Sequence, residues 1–176
     1  MATAVDPTLD ASPKRVVVAC FGNVLRGDDG FGNVVADRLS AEPLPDGVTV
    51  MEVGIGGIHL VQALMDALDA LVVVDAVDLG RPPGTVLVMQ PDIVDVGAMS
   101  PDERRDNLAD MHYATPDRAL MLARALEILP AEVVLVGCQV ADPEMLGEGL
   151  TPILDAAVEP AIAEIRRVVG EFGIPW

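Results

Sequence analysis

Residues 15–35, RVVVACFGNVLRGDDGFGNVV, carry the segment on which the reading of the fold turns. The segment opens with a β-branched apolar run, 15–20, which has no polar alternation and so fits a strand buried on both faces. A glycine-rich loop follows. Beyond it Phe31, Val34, Val35 and Leu39 recur at helical spacing. Strand, glycine turn and helix in that order are the opening unit of an α/β fold. Inside the turn stand two adjacent aspartates, Asp28 and Asp29. Acids just past a buried strand neither pack a core nor lie on a simple solvated face, which makes them candidate functional groups.

Working outward, VTVMEV (48–53) alternates and predicts a second strand, GIGG (54–57) a turn, and Ile58, Val61, Met65 and Leu68 the apolar face of a helix. ALVVVDAV (70–77) predicts a third, buried strand. TVLVM (85–89) predicts a fourth, reached without a helix, and so short a link suits an antiparallel neighbour. Residues 91–114 are polar and weakly periodic, and a loop of that length in a compact domain is usually functional or disordered. Thr115 and Pro116 open a helix as N-cap and first helical residue, and Thr151 and Pro152 repeat the device. Between them AEVVLVGC (131–138) predicts a fifth strand. Leu154, Val158, Ile162, Ile165 and Val169 should line one face of the last helix. The expected fold is an α/β three-layer sandwich: a twisted, mostly parallel sheet of about five strands, one of them antiparallel, with helices on both faces. Residues 1–14 read as a flexible leader without a secretory signal, and 15–176 as a single domain.

Composition narrows the function. The net charge is −17, and Lys14 is the only lysine among 176 residues. This argues against nucleic acid or an anionic membrane as partner and favours a cationic one, such as a metal or a basic peptide tail. A general acidic solubility adaptation explains the charge equally well. No apolar run approaches the roughly 20 residues of a membrane span. Cys20 and Cys138 each end a predicted buried strand, have no C-x-x-C spacing, and read as small buried hydrophobes in a reducing cytoplasm.

In open α/β sheets functional groups gather beyond the carboxyl ends of the strands. Asp28 and Asp29 follow strand one, Asp75 ends strand three, and the long loop that carries His112 can cover the same edge. Carboxylates with an imidazole suit a divalent first-row cation. Each residue also has a plainer reading. Asp28 can cap the following helix, whose N-terminus favours an anion. Asp29 can do the same, Asp75 can be an ordinary strand-end acid, and His112 can be structural. His59, on an apolar helix, reads as structural. Dinucleotide, P-loop, zincin and serine-elbow motifs do not occur in the sequence.

Gly22, Asn23, Leu25, Asp28, Asp29 and Gly32 form a Gly-Asn-x-Leu-x-x-Asp-(Asp/Glu)-x-x-Gly motif after the first strand. With Asp75 in VVVDAV, His112 before a helix, GLTP at 149–152 and the following VEPAI, the sequence from about Arg15 to Val169 resembles the [NiFe]-hydrogenase maturation endopeptidases. The resemblance implies that Asp29, Asp75 and His112 are metal-site and catalytic residues. It implies as partner and substrate the precursor of a hydrogenase large subunit, whose C-terminal extension is removed in the cytoplasm once nickel has been installed. The metal implied is the precursor's nickel, bound transiently, with no tightly bound organic cofactor. Asp28 is then a candidate general base, with helix capping as its default role. Two positions depart from the family pattern. Cys20 replaces the first glycine of Gly-x-Gly-Asn, and EVGIGG carries Val53 and Ile55 where glycine and threonine are usual. The change in that second, glycine-rich loop, which the resemblance implies shapes substrate contact, bears on which hydrogenase is served more than on the reaction. A non-catalytic nickel or precursor-binding chaperone is the alternative reading. A receiver-like phosphoacceptor domain would need a lysine after strand five, where this chain reads GCQVAD.

Overall fold

The structure is a computed structural model and describes residues 14–54, 57–100, 102, 115–142 and 146–176. The leader, apart from Lys14, and the segment bearing His112 lie outside the described residues. Five strands form one sheet: β1 (Val16–Phe21), β2 (Val48–Gly54), β3 (Ala70–Val77), β4 (Val86–Met89) and β5 (Glu132–Gln139). Their order is β2-β1-β3-β5-β4. Four strands run parallel and β4 runs antiparallel to β5. The helices are α1 (Phe31–Ser40), α2 (Ile58–Leu64), α3 (Pro116–Ala125) and α4 (Pro152–Glu171). None of the described helices is long and apolar enough to cross a membrane.

The pleat of the strands sorts their side chains into two cores. Val16, Val18, Cys20, Val72 and Val74 pack with α1 and α4 on one face. Val17, Ala19, Phe21, Leu71 and Val73 pack with α2 and α3 on the other. Because both faces are covered, β1 is buried at every position, which is why its sequence shows no alternation. The face expected for α4 is the one that packs: Leu154, Val158, Ile162, Ile165 and Val169 are all buried. Each full burial of such a side chain contributes about 1.5–3 kcal/mol.

Three local expectations need correction. The antiparallel strand does not lie beside β3. β3 pairs with β1 on one side and with β5 along its whole length on the other, from Ala70 opposite Glu132 to Val77 opposite Gln139. With no free edge on β3, β4 passes over the end of β5 and pairs on its far side. Gly84 N–H bonding Gln139 O at 2.9 Å and Gln139 N–H bonding Thr85 O at 3.0 Å start that pairing. Second, α2 is turned differently from the predicted stripe. Leu60, Val61 and Leu64 face the core, while Ile58 is 49% and Met65 66% exposed. Seven residues are only two turns, too few for periodicity to fix a face. Third, Thr115 and Thr151 are not equivalent. Both precede a helix opened by proline, but only Thr151 Oγ1 accepts a cap bond, from Leu154 N–H at 3.5 Å, and Thr115 makes no side-chain cap bond.

Candidate functional site

The site begins where β1 ends. Asn23 Oδ1 accepts from Leu25 N–H at 3.1 Å, and Arg26 N–H bonds Asn23 O at 3.0 Å, so the chain folds back on itself at once. Asn23 N–H then bonds Asp29 O at 3.0 Å, closing the turn. Residues Gly27–Gly30 form a single 3-10 turn that runs into α1. Two glycines permit this. A Cβ on Gly22 would lie 2.6 Å from Asp29 O, and one on Gly32 only 1.9 Å from Phe21 O. The first turn of α1 therefore presses backbone against backbone on the end of β1, where no side chain fits.

The two aspartates diverge. Asp28 is fully buried. Its Oδ1 accepts from Thr151 N–H at 2.8 Å, and its Oδ2 accepts from Thr151 Oγ1–H at 3.1 Å and from Ala141 N–H at 3.3 Å. It does not cap α1, whose N-cap is Gly30 with no side-chain bond. Asp28 instead braces the start of α4, and its engaged carboxylate is withdrawn from the candidate role of general base. Asp29 is partly exposed beside it. Burial pushes its carboxyl above the usual range, and the Arg26 guanidinium opposes that shift.

Asp75 lies near the carboxyl end of β3, on the face that alternation assigns to α2 and α3. Its carboxyl is pushed up from 3.8 to about 8. Burial is the main cause and the Asp29 carboxylate the second; Asp117 adds a smaller push, against a hydrogen bond from Ala76 N–H that lowers it. The fold thus brings Asp29 and Asp75 within electrostatic reach of each other, as strand topology led one to expect. Two carboxylates held this way repel, and a cation between them relieves the repulsion. Among the described residues no three His, Cys, Asp or Glu side chains are gathered to hold a metal ion, and the expected third ligand, His112, lies outside those residues. His59 is exposed on α2, so the structural role expected of it has no packing behind it.

Several residues at this edge escaped the sequence reading. Asp117, in the first turn of α3, adds to the negative field on Asp75. Gln139 is buried at the end of β5 and uses its whole amide: Oε1 accepts from Leu79 N–H at 2.8 Å and Arg81 N–H at 3.1 Å, and Nε2 donates to Asp78 Oδ1 at 3.0 Å and Val140 O at 3.1 Å. It anchors the turn that leaves β3 just past Asp75. A polar residue closing an otherwise apolar strand was the signal for it. Asn33 Nδ2 donates to Glu52 Oε1 at 2.6 Å, joining α1 to β2. Cys20 and Cys138 are both free and buried, as expected. Burial raises the Cys20 thiol well above its ordinary range and the Cys138 thiol to about 11, so neither is a thiolate nucleophile at neutral pH.

Residues 34–168 match the family model described as hydrogenase maturation protease. Over 163 residues the chain is 34% identical to the hydrogenase expression/formation protein HupD of Rhodobacter capsulatus, covering 92% of this chain and 74% of that one. A solved structure of a hydrogenase 2 maturation peptidase from a Thaumarchaeota archaeon is 34% identical, with a TM-score of 0.63, covering 89% of this chain and 99% of that one. The Escherichia coli hydrogenase maturating endopeptidase HybD superposes with a TM-score of 0.70 over 92% of this chain and 95% of that one; at 23% identity it speaks for the fold alone.

Proposed function

The chain belongs to the hydrogenase maturation protease family, and from that premise we propose that it is the endopeptidase that removes the C-terminal extension of a [NiFe]-hydrogenase large-subunit precursor after nickel insertion. Asp29, Asp75 and His112 recognise the nickel that the precursor already holds. The nickel is part of the substrate.

The observation that carries this reading is the pairing of Asp29 with Asp75. Each has its carboxyl raised, and the Asp29 charge is a cause of the shift at Asp75. Such a pair gains most from a divalent cation, and hard carboxylate oxygens with one imidazole are a suitable donor set for nickel. Binding the cation requires Asp75 to give up the proton that it holds at neutral pH, so affinity rises with pH up to about 8. Held by Asp29, Asp75 and His112, the precursor's nickel would supply Lewis-acid chemistry toward the scissile carbonyl or a water. The absence of a thiolate among the buried cysteines and of a serine elbow in the sequence fits a reaction without a covalent protein nucleophile.

The test is to incubate the protein with nickel-loaded precursor and with the metal-free precursor, and to follow loss of the tail by mass spectrometry. The loaded form is cut and the metal-free form is not. Equal cleavage of both removes nickel recognition while leaving the peptidase intact. Binding of both without cleavage makes the protein a chaperone.

A further inference from the structure

Asp28 has no part in the chemistry proposed above, yet among the described residues it is the only acidic side chain that is fully buried. A buried carboxylate is costly unless its oxygens are well supplied with donors. Here three donors converge on it, from Thr151 N–H, Thr151 Oγ1–H and Ala141 N–H. It also lies at the N-terminus of α4, a helix of 20 residues, where the peptide dipoles favour an anion. Ala141, just past β5, and Thr151, the N-cap of α4, are thus tied together by one side chain.

Gly147, four residues before Thr151, also meets the aspartate turn, through backbone. Gly27 N–H bonds Gly147 O at 2.7 Å, and Gly147 N–H bonds Leu25 O at 3.1 Å. Asp29 itself is held by its main chain, its N–H on Arg26 O at 3.1 Å and its carbonyl on Asn23 N–H at 3.0 Å. The turn that aims Asp29 is thus fastened on one side by its own bonds and on the other by Ala141, Gly147 and Thr151. The two sequence motifs of the resemblance, the glycine–acid stretch and GLTP, touch through Asp28 and Thr151.

We infer that Asp28 is a positioning residue: its clasp on Thr151 and Ala141 fixes the turn so that the Asp29 carboxylate meets Asp75. The inference rests on the reading of Asp29 and Asp75 as cation ligands. Asparagine at position 28 keeps the shape but offers one acceptor oxygen in place of two, and its amide group would face either Ala141 N–H or Thr151 N–H, donor against donor.

The test uses the full chain and Ni2+ alone as the probe, by isothermal titration calorimetry, beside amide hydrogen exchange of the metal-free protein. Asp28→Asn and Thr151→Val weaken Ni2+ binding by about tenfold or more, the range seen when a ligand loses its supporting bonds. Thr151→Ser restores binding to within about twofold, because the hydroxyl is kept. Val169→Ala is the stability control, since it opens a core cavity about 27 Å along α4 from Thr151 at 1.5 Å per residue. It lowers the melting temperature and leaves Ni2+ affinity unchanged. In the Asp28 variant the amides of Asn23 and Asp29 exchange faster while those of β1 and β3 do not. A folded Asp28→Asn protein with unchanged affinity and unchanged exchange at Asn23 and Asp29 overturns the inference. So does a Val169→Ala protein that loses affinity as severely. If Asp28→Asn does not fold, Thr151→Val decides by the same two readouts. If the unmodified chain binds no Ni2+, the ligand reading fails on its own, and the exchange at Asn23 and Asp29 still decides the clasp.

Discussion

Replacing Asp75 with asparagine should make the metal-free protein more stable, by an amount that depends on pH. The carboxyl ionises at about 8 in the folded chain against an ordinary value of 3.8. The unfolded chain therefore releases this proton first, and stability falls as pH rises from about 4 to about 8, then levels. At about 1.4 kcal/mol per pKa unit, the full shift withholds about 4 kcal/mol at pH 7. That is an upper bound, because the side chain keeps some access to water and because a half-buried amide carries its own desolvation cost. The expected gain at pH 7 is about 1–3 kcal/mol, which raises the melting temperature of a domain this size by about 3–10 °C.

The assay is a set of thermal melts, followed by circular dichroism in the presence of a chelator, at pH 4, 5.5, 7 and 8.5. At pH 4 both proteins carry a neutral group at position 75 and melt together. The difference grows through pH 5.5 and 7 and changes little beyond pH 8. Asp29→Asn shows a smaller gain, since it removes only the second cause of the shift at Asp75. A variant that melts at or below the unmodified protein at every pH refutes the reasoning, because the carboxylate is then not held against its own charge. The stabilised Asp75→Asn protein loses precursor cleavage, a trade of activity against stability that a cation site built from repelling acids requires.

Asp29→Asn also abolishes tail removal while the melt shows a folded protein; a folded variant with full activity excludes Asp29 from the site. His112→Ala abolishes processing, whereas His59→Ala, which alters an exposed position, leaves both cleavage and melting temperature unchanged, and the pair of cleavage assays separates the two histidines. Gly32→Ala drives a Cβ to 1.9 Å from Phe21 O and destabilises the protein by about 3 kcal/mol or more through overpacking; urea titration reads it, and a loss below about 1 kcal/mol contradicts the close approach of α1 to β1.

The local patterns carried much of the fold. The unbroken apolar runs at 15–20 and 70–77 are what strands covered on both faces require, and the long face of α4 repeats often enough for its period to be unambiguous. The helix-free link after β3 marked β4 as antiparallel, and strand-end placement put Asp29 and Asp75 on one edge. What period and propensity do not encode is which distant groups meet. Nothing near position 28 tells that its carboxylate will accept from Thr151, 123 residues away, in place of capping α1. Nothing near 85–89 tells that β5 will take the free edge of β3 and send β4 to its far side. The short α2 could be turned either way until the sheet chose Leu60 and Leu64 over Ile58 and Met65. The sequence by itself determined the elements and their order along the chain, because those follow from contacts between near neighbours, and it set Asp29 and Asp75 just past or near the ends of two apolar strands, which the parallel pairing of β1 with β3 then brings to one edge. Only the tertiary structure decided which aspartate is buried and which is left to meet Asp75, because burial and hydrogen-bond partners are properties of the space that the whole chain encloses.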